Sequence, residues 1–285
     1  MATLNLKEKK TAIMVQKALG ITADGIWGPK SQAALIEFQR NNNLVADGIV
    51  GNKTMEALGL LDSDITGKSL LIENYFLDKS QYINGYFDNE YIFLHHTGGW
   101  ENPYDTINIW NSDNLGRVGA EFVIGGINPK NGNAMYDGRI LKAYPDNNQA
   151  YHLGTSNGYL NTHSVGIELC NIGWVKNGKV YTGAKIKDEY IVKVPKFRGY
   201  TDWQKYSDKQ LESLRKLLLF IANRDNIDLH EGLYKRLKKN SKTAFDFSDD
   251  ILKGKVKGLL SHGNVRKDKF DVSPQQNLID MILSL

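Results

Sequence analysis

Apolar positions recur at two spacings along this chain, and the change of spacing divides it. Near the N-terminus, Ala12, Val15 and Leu19 fall three or four apart and, with Gln16, give one face of a helix that Gly20 stops. Residues 23–35, ADGIWGPKSQAAL, and 46–58, ADGIVGNKTMEAL, then repeat one another 23 residues apart. Each copy opens on Asp-Gly, a turn in which glycine supplies the positive φ. Each then offers a hydroxyl cap, Ser31 or Thr54, ahead of a short helix. A unit used twice after a first helix predicts a small all-α domain of three helices.

Past residue 70 the runs shorten. Tyr91 to Leu94, Phe122 to Ile124, Val165 to Leu169 and Gly258 to Leu260 read as strands. One helix is clear after Ser207: Gln210 completes a capping box, Tyr206 and Leu211 form a staple, and Leu211, Leu214, Leu218 and Ile221 line one face. Strands alternating with helices predict an α/β domain, a mixed central sheet flanked by helices. The polar stretch 61–69, LDSDITGKS, lacks periodicity and holds the linker. The domains are therefore 1–62, a linker at 63–69, and 70–285.

Composition narrows the class of protein. Of 285 residues 41% are hydrophobic and 24% charged, an ordinary globular balance, and no apolar run is long enough to span a bilayer. The opening MATLNLKEKKTAIMV places charges where a secretory signal needs an apolar core, so no signal peptide is expected. The single cysteine, Cys170, excludes an internal disulfide and a cysteine-rich metal site. A net charge of +4 with no nucleic-acid-binding motif gives no reason to expect a nucleic-acid partner.

Six histidines carry the candidate chemistry: His95, His96, His152, His163, His230 and His262. His95 and His96 end the run YIFL, His262 ends GLLSH, and Asp271 opens DVSP nine residues later. Two imidazoles and a carboxylate suffice for a catalytic zinc site, though spacing alone leaves structural histidines as an equal alternative. Successive strand residues point to opposite faces, so His96 reads as a packing residue or a support behind the ligands rather than a ligand itself.

Two resemblances give these strings a meaning. Residues 8–60, with doubled D-G-x-x-G loops and V-Q-x-x-L in the first helix, resemble the peptidoglycan-binding module of cell-wall hydrolases. The resemblance implies peptidoglycan as partner, with Trp27 packing its ring on a sugar and donating its indole N–H. Because Val50 holds the matching place in the second copy, Trp27 reads equally as a core residue. YIFLHHT, VGIELCNIGW at 165–174 and LLSHGNVRKDKFDVSP at 259–274 resemble the zinc-dependent N-acetylmuramoyl-L-alanine amidases of phage endolysins and peptidoglycan recognition proteins. That resemblance implies Zn2+ held by His95, His262 and Asp271, with Glu168 as general base. It also implies Lys269 as a cation near the metal and His152, in AYHLGT, as a substrate contact lining the cleft.

The chain departs from the pattern in two places. Ala120 stands where many relatives carry a tyrosine that assists catalysis, which shifts base catalysis to Glu168. Residues 175–203 and about 226–257 read as insertions. Glu121 is read as a solvent-facing strand residue without a role, and the basic runs RLKK at 236–239 and KGKVK at 253–257 as solvated faces. The protein implied is a monomeric amidase endolysin, made in the host cytoplasm and released to the wall. Two other readings of the pattern are a zinc endopeptidase acting on the stem peptide and a non-catalytic peptidoglycan receptor.

Overall fold

The computed structural model describes residues 6, 9–60, 70–85, 87–113 and 116–285. The chain divides into two compact units, Met1–Leu70 and Leu71–Leu285. The linker expected at 63–69 lies outside the described residues.

In the first unit, α1 (Lys9–Ala18), α2 (Pro29–Asn41) and α3 (Asn52–Ala57) enclose Val15, Leu35, Val50, Met55 and Leu58. The sequence repeat is also a repeat of hydrogen bonds. Gln16 donates to Asp24 Oδ1 (2.9 Å), the Ile26 carbonyl (3.1 Å) and Ser31 Oγ (3.0 Å), and accepts from the Gly25 N–H (2.9 Å). Gln39 does the same with Asp47, Ile49, Thr54 and Gly48. Burying a primary amide is costly unless its donors and acceptor are matched, and each Asp-Gly loop wraps around its glutamine to match them. Gly48 takes φ +69, and a Cβ there would lie 1.9 Å from Gln32 Nε2.

Ser31 and Thr54 are consequently not helix caps. The N-caps are Gly28 and Gly51, without side-chain cap bonds, and the hydroxyls lie inside their helices as partners of the buried glutamines.

The second unit is built on a six-stranded sheet. Its strands are β1 (Ile72–Asn74), β3 (Tyr91–His96), β4 (Phe122–Ile124), β5 (Ile140–Lys142), β7 (Ser164–Leu169) and β12 (Gly258–Ser261), in the order β1-β5-β4-β7-β3-β12. Only the β4–β5 pair is antiparallel. A small pair, β2 (Ile83–Asn84) and β6 (Asn148–Gln149), stands apart from it. Helix α4 (Pro103–Ser112) packs on β4 and β5; α5 (Gly158–Thr162) leads into β7. Helix α6 (Asp208–Asp225) packs on β4 and buries Leu211, Leu214, Leu217, Leu218 and Ile221. This is the mixed, helix-flanked sheet the pattern predicts.

The α6 start differs from the expected capping box. Ser207 Oγ accepts from the Gln210 N–H (2.9 Å), but the Gln210 side chain turns inward to the carbonyls of Ile124, Gly125 and Cys170 at 3.1–3.2 Å. Those buried carbonyls lie just where β4 and β7 end, and satisfying them outweighs closing the box at a helix end.

The first insertion is a domain feature in its own right. Strands β8 (Trp174–Lys176), β9 (Lys179–Val180), β10 (Ile191–Phe197) and β11 (Tyr200–Gln204) form an antiparallel sheet in the order β10-β11-β8-β9. Residues 226–257 contain helices Leu233–Asn240 and Asp249–Leu252. In the basic runs, Arg236 donates to the carbonyls of Thr243, Ala244 and Asp246, and Lys257 pairs with Glu90.

Candidate metal centre

Three parallel strands bring the chemistry together. In the β3–β7 pair His95 stands opposite Glu168, so both side chains rise from the same face of the sheet. β12 runs beside β3 with Ser261 opposite Leu94, which delivers His262 at the next position. Asp271 returns on the following loop, held where its carbonyl accepts from the Gly263 N–H (2.9 Å).

His95 Nδ1 lies 3.0 Å from His262 Nδ1 and 3.3 Å from Asp271 Oδ2; His262 Nδ1 lies 3.0 Å from the same oxygen. The three ligand atoms are all within 4.8 Å of one another, and all three residues are buried. Burial and the neighbouring His262 lower the pKa of His95 to about 4, so its ring is neutral at pH 7. Burial raises the Asp271 carboxyl, but the adjacent His262 and His95 rings outweigh this and hold it well below its usual range. Two imidazole nitrogens and an ionised oxygen crowded into a buried space suit a divalent cation of zinc's preference. The His262 Nε2–H donates to the Leu153 carbonyl (2.9 Å), which turns Nδ1 toward the other two ligands.

Glu168 stands beside this group with Oε2 buried and without a hydrogen-bond partner. Burial pushes its carboxyl well above the ordinary carboxylate range; Asp271 pushes the same way and Lys269 opposes. Lys269 is half-buried, and its charge also acts on His95. An unpartnered carboxyl with a raised pKa next to a ligand set is suited to moving a proton.

The other sequence candidates fall elsewhere. His96 points to the opposite side, with Nδ1 3.4 Å from the Tyr206 hydroxyl and its ring 6.2 Å from Trp203. His152, expected as a substrate contact, is buried behind His95, with Nδ1 3.0 Å from His95 Nε2 and Nε2 2.9 Å from Ser164 Oγ. Trp27 packs partly against the core of the first unit and donates its indole N–H to Gln32 Oε1 (2.7 Å). That N–H is spent inside the module, which leaves only ring surface for a ligand.

Glu121 is buried rather than an outward strand residue, and Arg224 of α6 clamps it with two hydrogen bonds at 2.5 and 3.1 Å. Glu121→Gln is expected to lower stability by roughly 1–3 kcal/mol by removing the buried negative charge that faces Lys142 and Arg224, the latter keeping only Asp225. Turnover per folded molecule should be unchanged, which denaturant titration alongside an activity assay checks.

Sequence reasoning missed Arg198. From the turn between β10 and β11 it donates to the carbonyls of Lys267 (2.8 Å) and Gly263 (3.1 Å), so the inserted sheet grips the loop carrying Lys269 and Asp271. An Arg-Gly pair between two strand-like runs was the available signal, but nothing local indicates what the guanidinium reaches.

Comparison with known proteins identifies the family. The sequence pattern of the N-acetylmuramoyl-L-alanine amidase family matches residues 86–264, and that of the peptidoglycan binding domain matches residues 15–58. The chain belongs to the N-acetylmuramoyl-L-alanine amidase family. The amidase match includes His95, Glu168 and His262 but stops before Asp271, whose place at the centre rests on geometry.

Among solved structures, the chain is similar to the catalytic domain of XlyA (14% identity, TM-score 0.39, 70% of this chain and 90% of that one). It is also similar to PlyL (14%, 0.37, 56% and 77%) and to the Ph2119 endolysin of a Thermus scotoductus bacteriophage (15%, 0.36, 75% and 99%). A comparison with curated proteins returns no match.

Proposed function

We propose that this protein is a zinc-dependent endolysin that hydrolyses the amide between N-acetylmuramic acid and the L-alanine of the stem peptide. The observation that carries the reading is the convergence of His95, His262 and Asp271 beside the unpartnered Glu168, within a chain of the amidase family. His95, His262 and Asp271 would hold the ion. When bound there, zinc supplies Lewis acidity, which makes water reactive near neutral pH.

The remaining steps belong to the chain's own residues. Glu168 accepts the proton of the attacking water and delivers it to the leaving alanine nitrogen as the C–N bond breaks. Lys269 offsets negative charge developing on the carbonyl oxygen. The products are the lactyl carboxylate of the sugar and a stem peptide with a free N-terminal alanine. The peptidoglycan-binding module of the first unit, with the partly exposed ring of Trp27, supports a wall-directed enzyme. Among the described residues no helix is long and apolar enough to cross a membrane.

Mass spectrometry of purified sacculi digested by the full chain tests the reading. Stem peptides beginning with a new N-terminal alanine, lost when a chelator is added, are expected. Fragments cut within the stem instead would establish a peptidase.

The module has a separable effect. A truncated chain of residues 70–285 should retain turnover on soluble muropeptides yet lose most activity on intact walls, because tethering raises the effective concentration of the active site at the polymer. Equal activity of both chains on walls would exclude that role.

A further inference from the structure

The ligand His95 does not stand alone; a line of hydrogen bonds runs from it away from the metal centre. His95 Nε2 meets His152 Nδ1 at 3.0 Å, and His152 Nε2 meets Ser164 Oγ at 2.9 Å. Ser164 Oγ in turn donates to the backbone carbonyl of Leu160. A carbonyl only accepts, and this fixes every proton in the line. The serine hydrogen goes to Leu160, so Ser164 must accept from the His152 Nε2–H. A neutral imidazole then has a bare Nδ1, which accepts from the His95 Nε2–H. His95 is left with its Nδ1 lone pair facing His262 and Asp271. His152 is buried, and neither of its ring partners is a carboxylate, in accord with a neutral ring.

The backbone around His152 is held for the same purpose. Asn161 Oδ1 accepts from the N–H groups of both His152 (3.2 Å) and Leu153 (3.0 Å). Leu153 is the residue whose carbonyl orients His262. The ring of His152 also lies over Gly166, where a Cβ would come within 2.9 Å of its Cγ. One two-residue segment thus reaches both histidine ligands, through a side chain on one side and a carbonyl on the other.

We propose that His152 is a positioning residue that sets the tautomer of His95, and that the His152–Leu153 segment prepares both histidines to offer Nδ1 to a metal ion. The proposal rests on the reading of this group as a zinc site. Support of this kind typically accounts for about 10–100-fold in metal affinity.

The test measures zinc affinity of the full chain by competition with a chromogenic chelator. His152→Phe keeps a ring but cannot accept a hydrogen bond, and should bind zinc about 10–100-fold more weakly. His152→Asn restores an acceptor near the Nδ1 position and should recover part of that loss. Gly166→Ala leaves the chemistry of His152 intact but displaces its ring, and should weaken zinc as well. In the zinc-loaded wild type, long-range nitrogen NMR should show His95 protonated at Nε2.

Wild-type affinity in folded His152→Phe, or a His95 proton at Nδ1, overturns the proposal. If wild type itself binds no zinc, the zinc reading fails first, and the two failures are distinguishable. Should His152→Phe not fold, Gly166→Ala with wild-type affinity and the NMR tautomer decide.

Discussion

Replacing any one of His95, His262 or Asp271 with alanine is expected to abolish tight zinc binding and, with it, hydrolysis of the muramoyl–alanine amide. Their ligand atoms lie within 4.8 Å of one another, and three protein ligands are the minimum for a catalytic zinc centre that keeps a position for water. Removing one leaves two ligands and a pocket whose remaining groups were desolvated to hold a cation. Zinc should fall from about one per chain to near zero after dialysis. His96→Ala, altering a ring on the opposite side of the sheet beside Trp203, should keep its metal. Metal analysis of the four variants decides the assignment, and stoichiometric zinc in His262→Ala would sink it.

Glu168→Gln should separate catalysis from metal binding. The amide keeps the shape of the carboxyl but cannot take up a proton, and general-base catalysis typically contributes about 10²–10⁴-fold. Turnover should fall by that order with zinc content unchanged. Loss of zinc would make Glu168 a ligand; near-normal turnover would remove it from the mechanism.

The same substitution has a stability consequence of opposite sign. Burial raises the Glu168 pKa in the folded state above its unfolded value, so folding favours the protonated form. The associated stability is full below the unfolded pKa and is lost as pH rises through the folded one. At neutral pH the wild type therefore carries a penalty that glutamine relieves. Thermal unfolding of metal-free Glu168→Gln should exceed that of metal-free wild type near pH 7, and the gap should close on acidification. A gap that widened toward low pH would contradict the buried, unpartnered carboxyl.

Glu168 shows why some of the site could be read before folding was known. Its string, I-E-L at the end of a strand, carries the resemblance to the amidase family, and so do YIFLHH and GLLSH. Strand periodicity also separates His95 from His96, because pleating alone sends neighbours to opposite faces. His152 and Glu121 show the opposite case. Each sits in a short string that says nothing of its partner: His152 meets a ring 57 residues away, and Glu121 a guanidinium 103 residues away. Ser31, Thr54 and Gln210 fall between, since the sequence places them correctly at helix starts. A buried amide or a row of orphaned carbonyls then claims side chains that local rules assign to caps.

By itself the sequence determined the parts governed by periodicity and local geometry. These are the three small helices with their paired Asp-Gly turns, four of the six strands of the main sheet, the apolar face of α6, and the opposite facing of His95 and His96. Whatever depends on long-range convergence came from packing. The register of β3, β7 and β12 sets His95, Glu168 and His262 side by side, and the inserted sheet extends Arg198 to hold the loop of Asp271. Tautomers belong to this second group, because a proton on an imidazole is assigned by whichever distant carbonyl or hydroxyl packing brings against its other nitrogen.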